Sequence, residues 1–172
     1  MRLRACTSIT ALILGAVTYQ GAARAVAADL PQSVSFKIHS GWKAVGETTQ
    51  VAENHTFGTG NFWGITYNDS GGGPLHMGAA ICSYDLDIIN GEGTGQGSCA
   101  WGDANGDKIF TSYSGKLSSS GSFEGMNKIT NGTGKFNGIQ GEAPFQCRAL
   151  NDKGQYTCTQ EFHYSLNAAS NR

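Results

Sequence analysis

Proline is scarce in this chain, three in 172 residues, and no stretch of a dozen residues repeats its apolar side chains at helical spacing. A helical bundle is thereby disfavoured, because a helix that buries one face needs apolar residues at intervals of three and four. Past Arg4, lysine and arginine never cluster, and no Cys-x-x-Cys pair occurs anywhere. The first lack argues against a nucleic-acid or anionic-membrane partner, and the second against a metal site. Nothing in the spacing implies a cofactor. No apolar run reaches the ~20 residues that a membrane-spanning helix needs.

What the chain does have begins with a leader. Met1-Arg-Leu-Arg4 is a short basic segment, Ile9 to Val17 is apolar, and small residues follow from Ala23 to Ala28. That order reads as a secretory signal peptide over residues 1–28, cut after Ala25, Ala27 or Ala28, which leaves one domain over residues 29–172. The expected location is the periplasm or the extracellular space, and the expected mature chain is soluble. Loss of Arg2, Arg4 and Arg24 takes the basic count from 12 to nine against 13 acidic residues, a net charge of about −4. Cys6 departs with the leader and stands on the wrong side of the apolar run for a lipoprotein anchor.

Glycine is plentiful, 25 residues, and several segments alternate apolar with polar side chains. Val34, Phe36 and Ile38 alternate with Ser33, Ser35, Lys37 and His39, as in a strand with one buried face. A second strand is expected near Trp42 to Val51. From Phe57 to Tyr67 the odd positions carry most of the bulk, and they are read as the inner face. Further strands are expected over Met77 to Ile89, Lys108 to Ser114, Gly121 to Thr130, Gln140 to Leu150 and Gln155 to Leu166. Eight or nine short strands linked by hairpins make an all-β sandwich or barrel.

Three turns set registers. Asn90-Gly91 favours a two-residue type I′ hairpin, because both residues accept positive φ, and it places Cys82 opposite Cys99. A turn centred on Asp152-Lys153 places Cys147 opposite Cys158. Directly opposed residues of an antiparallel pair come within disulfide reach, so in an oxidising compartment these two pairings are expected. Asn105-Gly106, read as another two-residue turn, sets Asp103 across from Lys108 and Trp101 across from Phe110. Asp103, Asn105 and Asp107 imitate the start of a calcium loop, but Lys108 and Ser114 stand where that loop needs Gly and Glu.

Asn131 to Gly141 holds four glycines around two apolar anchors, Phe136 and Ile139, suited to plugging the end of a barrel. The run Asn131-Gly-Thr-Gly-Lys-Phe136 resembles the Gly-Gly-Thr-Gly-(Lys/Ile)-Phe signature of allene oxide cyclase and dirigent barrels, above all the bacterial secreted allene oxide cyclase barrel-like proteins. Asp103 to Phe110 followed by Gly115 resembles their matching hairpin. Asn131 replaces the usual first glycine. The resemblance spans Cys99 to Gly141 and implies an antiparallel up-and-down β-barrel of about eight strands, calycin-like, here stapled by disulfides. No counterpart of the plant cyclase's active-site residues is found, so no catalytic residue is assigned.

With apolar faces turned inward, the lumen is expected to collect Trp63, Tyr67, Tyr84, Trp101, Tyr156 and Tyr164, with Asn61 and Gln160 as inward polar groups. Such a set either fills the core or walls a pocket for a small, partly apolar ligand. Asp85 and Asp87 share a strand face and read as outer, solvated charges. His39, His55, His76 and His163 are dispersed and build no triad. Asn54, Asn68 and Asn131 head glycosylation sequons. The function expected is binding, of a small hydrophobic molecule or of a protein partner. The alternatives are an isomerase or cyclase acting on a hydrophobic substrate inside the barrel, and a structural, self-associating exported protein.

Overall fold

The alternation that starts at Val34 does not stop at His39. Ile38, Ser40 and Trp42 continue it on the buried side, and the chain stays extended as β1, Ser33–Ala52, a single strand of 20 residues. The separate strand expected near Trp42 to Val51 is therefore the far half of β1. In the computed structural model, which describes residues 33–167, seven more strands follow: β2 (His55–Asn68), β3 (Gly78–Ile89), β4 (Glu92–Gly102), β5 (Lys108–Leu117), β6 (Ser122–Gly132), β7 (Ile139–Ala149) and β8 (Gln155–Leu166). The expected signal peptide lies outside the described residues.

Each strand pairs antiparallel with the next, and β8 closes onto β1, so the sheet is a complete eight-stranded barrel. Closure gives every strand a neighbour on both sides. The strand β1 serves both sides of the seam, with Ser33 to Lys43 paired to β8 and Ile38 to Ala52 paired to β2. Among the described residues no helix is long and apolar enough to cross a membrane.

The hairpin turns set registers as expected at two places. Asn90 and Gly91 both take positive φ, Cys82 pairs with Cys99, and Cys147 pairs with Cys158. Both pairs are disulfides, each with a Cα separation of 4.0 Å. At Asn105-Gly106 the expected register is one residue off. Here only Gly106 has positive φ, and Gly102 pairs with Lys108 while Trp101 pairs with Ile109. The cause is Asp103, whose carboxylate accepts hydrogen bonds from the amides of Asn105 and Asp107 and winds the turn one residue longer. A one-residue slip reverses the faces of a strand. Ile109 consequently lies in the core, fully buried.

One end of the barrel is sealed. Phe136, in a single 3-10 turn at Gly134–Phe136, and Ile139 plug it, as two apolar anchors among glycines suggested. Lys135 ion-pairs with Asp103 and so ties the plug to the β4–β5 turn. The loop between β2 and β3 folds in beside it: Leu75 is fully buried, its carbonyl accepts from the Thr66 hydroxyl at 2.7 Å, and Asn68 Nδ2 donates to the Pro74 carbonyl at 2.9 Å. Asn68 is thus a buried loop anchor, and its sequon is inaccessible.

The faces of β2 are the reverse of those expected. Phe62, Thr66 and Asn68 point inward with Gly58, Gly60 and Gly64, while Asn61, Trp63 and Tyr67 lie on the outer wall. Trp63 is 56% exposed and Tyr67 40%. The reason is space. A Cβ on Gly64 would come within 2.4 to 2.8 Å of the Trp42 indole, and one on Gly60 within 2.8 Å of the Tyr84 hydroxyl oxygen. An eight-stranded lumen holds only so much, and glycine on β2 is what admits the large rings of β1 and β3. Gly64→Ala is accordingly expected to cost about 1–3 kcal/mol by overpacking. Chemical denaturation followed by tryptophan emission checks it, since Trp42 must move.

Candidate functional site

The sealed end and the opposite end differ in packing. Around the plug Ile38, Ile109, Phe136 and Phe162 are fully buried, whereas Leu86, Ile88, Leu117 and Phe123, near the β3–β4 and β5–β6 turns, are only half-buried. Between the two lies a cavity of about 140 Å³. Its floor is Trp42 and Trp101, edge to face with ring centres 5.5 Å apart, and its walls include Phe62, Phe145 and Tyr156. Both disulfides face it as well.

Two polar relays run beneath this floor. The Trp101 indole N–H donates to Thr111 Oγ1 at 2.9 Å, and Thr111 donates to Asn127 Oδ1 at 2.9 Å. The Trp42 indole N–H donates to Ser40 Oγ at 2.8 Å, and Ser40 donates to Gln160 Oε1 and to the Cys158 carbonyl, both at 3.3 Å. Each relay passes from a tryptophan through a hydroxyl to a carboxamide, and each carboxamide lines the cavity. An indole can only donate, so the hydroxyl accepts from it and hands its own proton onward.

Among the described residues, no aspartate, glutamate, histidine, lysine or arginine lines the cavity. Its titratable groups are tyrosines. Burial pushes the Tyr113 phenol well above its ordinary value, with the Asp85 carboxylate and Tyr84 adding to the shift, and its hydroxyl donates to the Ser83 carbonyl at 2.9 Å. Tyr84, outside the cavity lining, is raised by burial and by Tyr156, and Tyr164 by burial. The unfolded phenols ionise near pH 10. Above that pH the native state keeps protons that the unfolded chain has released, so stability falls as pH climbs past about 10, and these groups cost nothing below it. Alkaline unfolding of wild type and Tyr113→Phe checks the sign: the variant is expected to lose less stability per pH unit.

Of the lumen residues expected from sequence, Trp101, Tyr156 and Gln160 line the cavity. Tyr84 points inward but lies over Gly46 and Gly60, and Tyr164 belongs to the sealed end, beside Phe36. Asn61, Trp63 and Tyr67 are outside and line nothing within. Trp42, Phe62 and Asn127 were missed. Carrying the β1 alternation past His39 reaches Trp42; for Asn127, in a strand without clean alternation, no comparable signal exists. Asp85 and Asp87 are exposed, as expected, and bind Thr59 and His55. His39 pairs with Asp69 at 2.7 Å and His55 with Asp87 at 2.7 Å, both on the outer wall. Among the described residues no group of three His, Cys, Asp or Glu side chains is arranged to hold a metal ion.

No protein-family model matches the chain, and no curated protein matches it in sequence. Solved structures do. A protein of unknown function from the DUF3224 family of Shewanella oneidensis MR-1 aligns with a TM-score of 0.57 at 13% identity, over 80% of this chain and 99% of that one. The pterocarpan synthase dirigent protein GePTS1 aligns with a TM-score of 0.49 at 13% identity, over 88% of this chain and 100% of its own. At such identity the first likeness shows the barrel fold and nothing finer. The second is too loose to carry an argument.

Proposed function

We propose that the mature chain is an exported binding protein for a small, mostly apolar molecule held in the barrel cavity. The observation that carries this reading is the cavity itself: about 140 Å³, floored by two tryptophans and closed at one end only. An apolar protein cavity of roughly 150 Å³ is large enough to take benzene, so a single-ring molecule or a short chain fits. Two disulfides suit an oxidising compartment, consistent with the leader expected over residues 1–28. The run Asn131 to Phe136, together with the barrel, supports kinship with the allene oxide cyclase barrel-like proteins. Binding is favoured over catalysis by a general base, because among the described residues the titratable groups lining the cavity are phenols, which keep their protons at neutral pH.

The test is a panel of benzene, toluene and indole against the mature protein. At ten times Kd a ligand that binds only the native state adds about 1.4 kcal/mol, a rise of roughly 5 °C in Tm for a domain of this size. A Trp63→Phe background leaves Trp42 and Trp101 as the emitters, so binding is also expected to change tryptophan emission. Ile88→Trp, which narrows the cavity toward its open end, is expected to abolish both signals. No shift from any of the three compounds would sink the reading.

A further inference from the structure

We infer that the cavity selects a neutral molecule whose polar group is a hydrogen-bond acceptor, a ketone- or ester-type carbonyl, presented to the carboxamide nitrogens of Asn127 and Gln160. This rests on the binding reading above and states what that site recognises.

The argument starts from proton direction. The Trp101 indole donates to Thr111, so the Thr111 proton is left for Asn127, which must meet it with oxygen. Asn127 Nδ2 is then turned away from the relay, although the residue is 98% buried and lines the cavity. Gln160, 5% exposed, meets the Ser40 hydroxyl with Oε1, a proton that Ser40 also offers to the Cys158 carbonyl. Neither nitrogen makes a hydrogen bond to any described residue. Neither is walled off: among the described residues, the side-chain polar atoms sealed without a partner are His76 Nδ1 and Tyr164 Oη. Two buried donors therefore look into an apolar space with their bonds unspent, and a buried donor gains most from a partner there.

Charge and placement narrow the class. With no cationic side chain among the described residues of the wall, a carboxylate would lose its water without a counter-charge. The carboxamide oxygens already take the Thr111 and Ser40 protons, so an alcohol or amine proton finds less to meet than a carbonyl lone pair does. Asn127 on β6 and Gln160 on β8 are separated by β7 alone, where Phe145 pairs with Gln160 and the small, fully buried Ala143 pairs with Asn127. The Ser40 proton is shared between two acceptors and the Thr111 proton is not, so Asn127 is the more firmly oriented donor.

Acetophenone and α-methylstyrene, which differ only by C=O against C=CH₂, test the inference by calorimetry and by NMR of the ¹⁵N-labelled mature protein. In the wild type acetophenone is expected to move the side-chain NH₂ resonances of Asn127 and Gln160 downfield, and α-methylstyrene is not. In Asn127→Leu the acetophenone Kd is expected to weaken by about twofold to tenfold, the worth of one neutral hydrogen bond, with little change for α-methylstyrene. Gln160→Met serves the same purpose if the first variant does not fold. If both compounds bind but neither NH₂ responds to the ketone, or both Kd values shift alike in the variants, the inference is overturned and the cavity reading stands. If neither compound binds although benzene, toluene or indole does, the inference is overturned and the cavity reading stands; if none of the five binds, both fall.

Discussion

Removing the two disulfides together is expected to lower stability by about 6 kcal/mol, or roughly 20 °C in Tm. Each bridge closes a short loop, Cys82 to Cys99 over 17 positions and Cys147 to Cys158 over 11. Chain-entropy arguments assign about 3 kcal/mol to each, and the difference in loop length alters that by less than about 0.5 kcal/mol. Cys82→Ala/Cys99→Ala and Cys147→Ala/Cys158→Ala should therefore lose similar amounts. The first pair loses slightly more, because both its sulfurs are buried in the core while Cys147 is half-buried. Calorimetry of the two double variants and the quadruple variant decides it. A loss below about 1 kcal/mol per bridge would mean that the hairpins persist in the unfolded chain, which removes the entropy the bridge was credited with.

Trp101→Ala is expected to cost about 4 kcal/mol, in the range for truncating a buried aromatic residue. Trp101 is 1% exposed, and its ring meets Trp42 at 5.5 Å and Phe162 at 5.6 Å, both edge to face. The loss joins a void at the cavity floor to an orphaned relay. Two smaller changes separate these parts. Trp101→Phe keeps an aromatic ring and leaves Thr111 free to serve Asn127, so about 1–2 kcal/mol is expected. Thr111→Val changes almost no volume but strands the indole N–H and the Asn127 oxygen together, for about 2–3 kcal/mol. Urea denaturation gives the ranking. Should Thr111→Val prove milder than Trp101→Phe, lost ring volume outweighs the relay in holding this floor together.

How far the chain was legible before folding depended on range. The Asn90-Gly91 turn and the Asp152-Lys153 turn are local, and local backbone chemistry sets where the flanking strands pair, so both disulfides followed. The Asn105-Gly106 turn looked the same and was not. A side chain two residues upstream, Asp103, captured two amides and lengthened it, and the strand faces beyond it turned over. Phe136 and Ile139 were readable as a plug because they are large apolar residues in a glycine-rich stretch with few other reasons to be there.

The face of β2 shows why the site was only partly legible. Counted alone, the odd positions with Phe57, Trp63, Ile65 and Tyr67 outweigh the even ones, and a single strand read by bulk puts them inside. The barrel weighs all eight strands at once. Its lumen already receives Trp42, Tyr84 and Trp101 from β1, β3 and β4, and the glycines of β2 supply the room. Asn127 was beyond reach for a related reason: its meaning comes from Thr111 and Trp101, which stand on other strands.

The amino-acid sequence by itself determined the all-β class, the hairpin order and the cysteine partners, since alternation and turn chemistry act over a few neighbouring residues. Which side of β2 faces inward, which end is sealed, and where two carboxamides place their free N–H groups were decided only when the wall closed, because a finite lumen forces the side chains of distant strands to share one volume.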